Sequence, residues 1–135
     1  MTLTPMERGV EIFAVIHLGL MGLSHIFQHR AWAEFFIVLR EKGYPGVFVH
    51  GFLSLAFAAI ILGFHRVWWG FPMVLSVVGV LYLGKSLQCF LLPEVSMRSL
   101  NRVRLENSRV FVGAGTMFLV IASLVVTGWI RGAAS

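Results

Sequence analysis

Four long apolar segments constrain this chain more than any other feature. They cover about residues 9–27, 46–64, 71–92 and 110–130. Each approaches the ~20 residues an α-helix needs to cross roughly 30 Å of hydrocarbon. Inside a bilayer no water is present to satisfy a free N–H or C=O. Segments of this length must therefore be helical, even where Val, Ile and Phe are frequent. The punctuation agrees. Thr4-Pro5-Met6-Glu7 reads as a capping box with proline at the first helical position. Gly43-Tyr44-Pro45-Gly46 is a turn ahead of the second segment, Gly70-Phe71-Pro72 opens the third, and Pro93 stops it.

The sequence is 58% hydrophobic and 13% charged, with a mean hydropathy of +0.84. A soluble domain carries about 25% charge. Too few charges are present to cover a water-facing surface, and lipid is the solvent that fits. The net charge of +5 then reads as a topology signal rather than a nucleic-acid footprint, so no nucleic-acid partner is expected. The single cysteine, Cys89, can close no intrachain disulfide and belongs to no zinc-type spacing. The first apolar segment contains Glu11 and His17 and lacks a small-residue cleavage site. It is expected to be a retained helix rather than a cleaved signal.

The connections are unequal. Residues 65–70 form a tight hairpin that sets Trp68 and Trp69 at the membrane interface. The other two connections, 28–45 and 93–109, are long. In the first, Trp32, Phe35, Phe36 and Leu39 alternate with Arg30, Glu34, Arg40 and Glu41. That pattern suits a short helix lying in the interface plane, with an extension of the first helix as the alternative. The fold class expected is therefore all-α. It is a single integral membrane bundle of four antiparallel transmembrane helices over about residues 5–28, 46–64, 71–92 and 109–130, with an interfacial segment over about 31–42. The long loops hold Arg30, Arg40, Lys42, Arg98, Arg102, Arg104 and Arg109, against Arg8, Arg66 and Arg131 on the other side. The positive-inside rule puts the long loops in the cytoplasm and both termini outside. Arg98, Arg102 and Arg104 are placed to meet anionic lipid headgroups.

Each segment carries one polar stripe. His17, Met21, Ser24, His25 and Gln28 share a face of the first helix, and His50 and Ser54 a face of the second. Tyr82, Lys85, Gln88 and Cys89 lie together on the third, and Arg109, Thr116, Ser123 and Thr127 on the fourth. Polar groups facing lipid are costly, so all four stripes are expected to turn into the bundle. Topology adds depth. His25 ends the first helix on the long-loop side, and His50 begins the second there. Lys85 precedes Pro93 by eight residues, roughly 12 Å of helix. The candidate ligand-binding residues are His25, His50, Tyr82, Lys85, Gln88 and Arg109. Together they would form an electropositive cavity for a small anionic group with Lys85 at its centre.

Plainer readings compete. The same groups can serve as structural glue, with interhelical hydrogen bonds of about 1 kcal/mol each and Lys85 snorkelling to the interface. His25 and His29 stand at the i, i+4 spacing of metal ligands, and His50 could face His25 as a second axial ligand of a haem. No carboxylate accompanies them at that level, and no cofactor is expected. The six acids, Glu7, Glu11, Glu34, Glu41, Glu94 and Glu106, fall near segment ends or in loops. No paired carboxylates are expected inside the bundle, no catalytic Ser or Cys motif stands out, and Cys89 reads as a small core residue.

The run Phe64-His65-Arg66-Val67-Trp68-Trp69-Gly70-Phe71-Pro72 is followed by Val74-Leu75, Gly79, Lys85 and Phe90-Leu91-Leu92-Pro93. This resembles small, uncharacterised bacterial four-helix integral membrane proteins. In these a His-x-x-Trp hairpin precedes a helix with an internal Gly and Lys that ends at Pro. The resemblance spans most of the chain. It implies a bacterial inner-membrane location and the four-helix layout, and it brings no activity and no assigned site. The function expected is that of a small, non-enzymatic membrane protein. It would bind or transport a small ligand, or assemble with copies of itself. The alternatives are an accessory subunit of a larger membrane complex and a haem- or metal-binding electron carrier.

Overall fold

A computed structural model describes residues 3–133. The described chain contains six helices: α1 (Pro5–Phe27), α2 (His29–Glu41), α3 (Tyr44–Phe64), α4 (Met73–Leu91), α5 (Pro93–Leu100) and α6 (Val110–Ala133). Four of them, α1, α3, α4 and α6, are long and apolar enough to cross a membrane. Their outer faces are apolar too. Ile16, Leu20, Phe52, Leu81 and Ile130 are each more than 60% exposed, a surface that suits lipid and not water. The chain is a membrane protein.

The start of α1 follows its local chemistry. The Glu7 N–H donates to Thr4 Oγ1 at 3.2 Å and the Thr4 N–H donates to Glu7 Oε2 at 2.8 Å, so both halves of the capping box are present. Gly43 takes φ +66 ahead of α3, a left-handed conformation open to glycine and strained for other residues. That turn folds α2 back until Gly46 lies against the backbone of Leu39. Pro93 departs from its expected role. It does not simply end a helix, because it occupies the first turn of α5, where its missing N–H costs nothing. The basic stretch beyond α5 forms turns rather than the start of α6.

The spanning helices pack as two pairs. Along α1 and α6, Glu11 meets Trp129 and Gly22 meets Gly115 and Leu119. A Cβ on Gly115 would stand 2.5 Å from the Gly22 carbonyl oxygen, so the absence of side chains lets these two backbones touch. Along α3 and α4, Ile61 meets Gly79, and Gly51 meets Cys89 and Phe90. The pairs join through one apolar core, in which Val10, Ala14 and Leu18 of α1 meet Phe57 and Ile61 of α3. Leu75 and Val78 of α4 and Ala122 and Val125 of α6 complete it. A smaller cluster of Val47, Cys89 and Leu100 seats α5 against the other end of α3 and α4. Beside this core, toward α2, the bundle is hollow.

The fourth polar stripe does not turn inward. Thr116 and Ser123 are exposed and Thr127 is half-buried. Their hydroxyls donate to the carbonyls of Val112, Leu119 and Ser123, each four residues back. A hydroxyl that bonds its own helix tolerates an apolar surround, and nothing forces it toward the bundle interior.

Candidate functional site

The hollow is a cavity of about 350 Å³ enclosed by α1, α2, α3, α4 and α6. That volume lies in the range of small-molecule sites. Its wall is largely aromatic. His25 stacks on Trp32 at 4.0 Å between ring centroids and meets Phe118 edge-on at 5.3 Å. Phe36 stacks on Phe111 at 5.4 Å and meets the edge of His50 at 5.0 Å. His17 stacks on Phe57 at 4.7 Å, and Phe57 abuts Tyr82 at 5.1 Å. Trp32 is held in place by its indole N–H, which donates to Ser24 Oγ at 2.9 Å.

Six side chains with polar ends interrupt that wall: His17, His25, His50, Ser54, Tyr82 and Lys85. Helix rise places them in depth. Lys85 stands six residues before the end of α4 and His50 six residues into α3, so both lie about 9 Å inside the loop end. Lys85 is the only Lys or Arg on the wall, and no Asp or Glu accompanies it. The His25 Nδ1–H donates to the Met21 carbonyl at 2.7 Å, which leaves Nε2 free. Among the described residues the side-chain polar atoms of His17, His50, Tyr82 and Lys85 make no hydrogen bond or ion pair with protein. Lys85 itself stays exposed.

Of the six residues singled out in the sequence, His25, His50, Tyr82 and Lys85 share this cavity. Gln88 and Arg109 do not. The Gln88 amide donates to Ser96 Oγ at 3.4 Å, because it stands about 4.5 Å nearer the loop end than Lys85, at the level where α5 packs. Arg109 precedes α6 and is exposed. His29 does not join His25, since its Nδ1 lies 2.9 Å from Ser108 Oγ. Among the described residues no group of three or more His, Cys, Asp or Glu side chains is gathered as metal ligands.

The opposite end of the bundle holds a site that sequence reasoning missed. Glu11 is fully buried, not solvated at a helix end, and His65 is 1% exposed rather than part of an open hairpin. Glu11 Oε2 accepts from the Trp129 indole N–H at 2.6 Å and from Arg8 at 3.3 Å, while Arg8 also lies over the Trp129 ring at 5.3 Å. Glu11 Oε1 faces His65 Nε2 at 3.3 Å. The Ser76 hydroxyl donates to the Val67 carbonyl at 2.6 Å, so its oxygen must accept from the His65 Nδ1–H at 3.1 Å. The count then requires one proton between Glu11 Oε1 and His65 Nε2, because two bare acceptors would repel. Carboxylate with imidazolium, or carboxylic acid with imidazole, both satisfy it. The network ties α1, α4, α6 and the end of α3 together with no polar side-chain atom left over among the described residues. An ionisable residue within an apolar segment is the signal that would have found it.

No protein family, curated protein or solved structure matches the chain.

Proposed function

We propose that this protein is a small, non-enzymatic membrane protein whose cavity binds a small ligand bearing one anionic group. The observation that carries this reading is the disparity in polar bookkeeping. At the Glu11 end every buried polar side-chain atom has a partner. In the cavity an ammonium, a phenol and two imidazoles have none among the described residues. Unpartnered polar groups in an apolar wall cost free energy unless something satisfies them. A carboxylate-sized anion supplies acceptors for Lys85, Tyr82 and His50, and its uncharged part meets the aromatic wall.

Around this site the four spanning helices cross a bacterial inner membrane in antiparallel order. The paired contacts of Glu11 with Trp129 and Gly22 with Gly115 support that order. The helix α2 lies in the interface and roofs the cavity, with Trp32 and Phe36 turned to it. The exposed Arg98, Arg102 and Arg104 mark the cytoplasmic side and meet anionic headgroups.

Native mass spectrometry of the protein released from its own membranes tests the reading. The wild type is expected to carry a small-molecule adduct that Lys85→Met loses and Gln88→Leu keeps. Identical adduct patterns in wild type and Lys85→Met would reduce Lys85 to structural glue.

A further inference from the structure

Two features of the cavity narrow the ligand beyond its charge. The first is the route in. A second, largely apolar groove of about 390 Å³ shares Trp32, Phe35 and Leu53 with the cavity and runs outward between α1, α2 and α3. It extends from Gln28 and Ala31, exposed at the loop end, to Leu53, which is 57% exposed. Leu53 lies nine residues into α3, about 13 Å from the helix start, and so near the middle of a roughly 30 Å hydrocarbon layer. The Leu53 end of the groove therefore lies at the depth of acyl chains and not of water. Of the groove's two polar side chains, Ser24 Oγ is occupied by Trp32, and Gln28 stands exposed at the loop end.

The second feature is the balance of charge and volume. One ammonium, Lys85, faces no acidic neighbour on the wall. That matches a single negative charge. A dianionic phosphate would leave half its charge without a cation in an apolar site. A cavity of about 350 Å³ holds roughly a dozen water-sized groups, enough for a head and the first part of a chain. Lys85 lies nearer the loop end than Leu53 does, so a molecule with its head at Lys85 points its tail toward the bilayer centre.

We infer that the cavity takes the carboxylate head of a long-chain monocarboxylate, of the fatty-acid class. The molecule enters sideways from the bilayer through the groove at Leu53 and leaves its tail in lipid. This rests on the ligand-binding reading above and adds the ligand's class and route. Lys85 and the Tyr82 hydroxyl hold the carboxylate, His50 donates from the same depth, and Trp32 and Phe35 flank the first methylenes.

Tryptophan quenching tests it. Trp32 stands at the cavity, and the other three tryptophans, Trp68, Trp69 and Trp129, stand at the far end of the bundle. The protein, reconstituted in phosphatidylcholine nanodiscs, is titrated with dibromostearate. The expected result is saturable quenching that disappears in Trp32→Phe and is reversed by unbrominated stearate. It should weaken at least tenfold in Lys85→Met and persist in Lys85→Arg. Non-saturable quenching, or quenching unchanged by Lys85→Met, would overturn the inference. Saturable displacement of the native adduct by benzoate but not by stearate would also overturn it, while leaving an anion-binding cavity in place. If neither acid bound and no adduct were found, both readings would fall.

Discussion

The two ends of this bundle are built from similar residues and differ in how those residues are used. Each end has an ionisable side chain on a spanning helix, a histidine and a tryptophan. At the Glu11 end they meet one another. The carboxylate takes Trp129, Arg8 and His65, the apolar core fills the adjoining space, and the two helix pairs are fastened. At the Lys85 end they line a void, and the side chains that could pair are turned toward it. The difference teaches that polar residues inside a membrane bundle do not by themselves mark a site. A network with every donor and acceptor matched is a clamp. A set of the same groups held apart around a cavity is a place for something else.

The comparison can be broken in stages. The largest effect is expected at the clamp. His65→Ala removes one partner of a buried pair and is expected to destabilise the bundle by about 3–5 kcal/mol, read from unfolding in lipid-matched detergent. A loss below 1 kcal/mol would mean the network is incidental. Next comes the close crossing of α1 and α6. Gly115→Leu puts a side chain into the Gly22 carbonyl and the His25 Cβ, at an expected cost of about 1–3 kcal/mol. It should also displace His25 and lower occupancy of the cavity. Tyr82→Phe removes one hydroxyl from the cavity wall and is expected to weaken ligand binding by about 1 kcal/mol, or fivefold, while leaving the melting temperature of the empty protein unchanged. The smallest effect is expected on α6, where Ser123→Ala deletes only a bond to the helix's own backbone. Its stability should stay within about 0.5 kcal/mol of wild type.

Much of the layout was legible in the sequence. The span lengths needed only hydropathy, and depth along a helix needed only counting from its ends. That is why His50 and Lys85 could be set at one level before any contact was known. What counting could not supply was the pairing of helices. Glu11 and Trp129 lie 118 residues apart, and Glu11 and His65 54 apart, so no local pattern links them. A place near a segment end gave Glu11 a sufficient local explanation, and the buried network stayed hidden behind it. The α6 stripe misled for a different reason. Its hydroxyls satisfy themselves four residues back, so their alignment says nothing about where the bundle's interior lies. Gln88 was placed with Lys85 by their shared helix face, yet three residues of rise carry it to the level of α5 and Ser96. Pro93 looked like a stop because proline cannot continue a helix, but it is equally suited to begin one.

The most direct measurement compares one matched pair of substitutions, Glu11→Leu and Lys85→Leu, by equilibrium unfolding in the same lipid. Each replaces an ionisable side chain on a spanning helix with an apolar one. If one end is a satisfied clamp and the other an unsatisfied site, Glu11→Leu loses about 3–5 kcal/mol by stranding His65 and Trp129. Lys85→Leu then unfolds at or above the wild-type midpoint once ligand is removed. Equal losses at the two positions, or a larger loss at Lys85, would contradict the account.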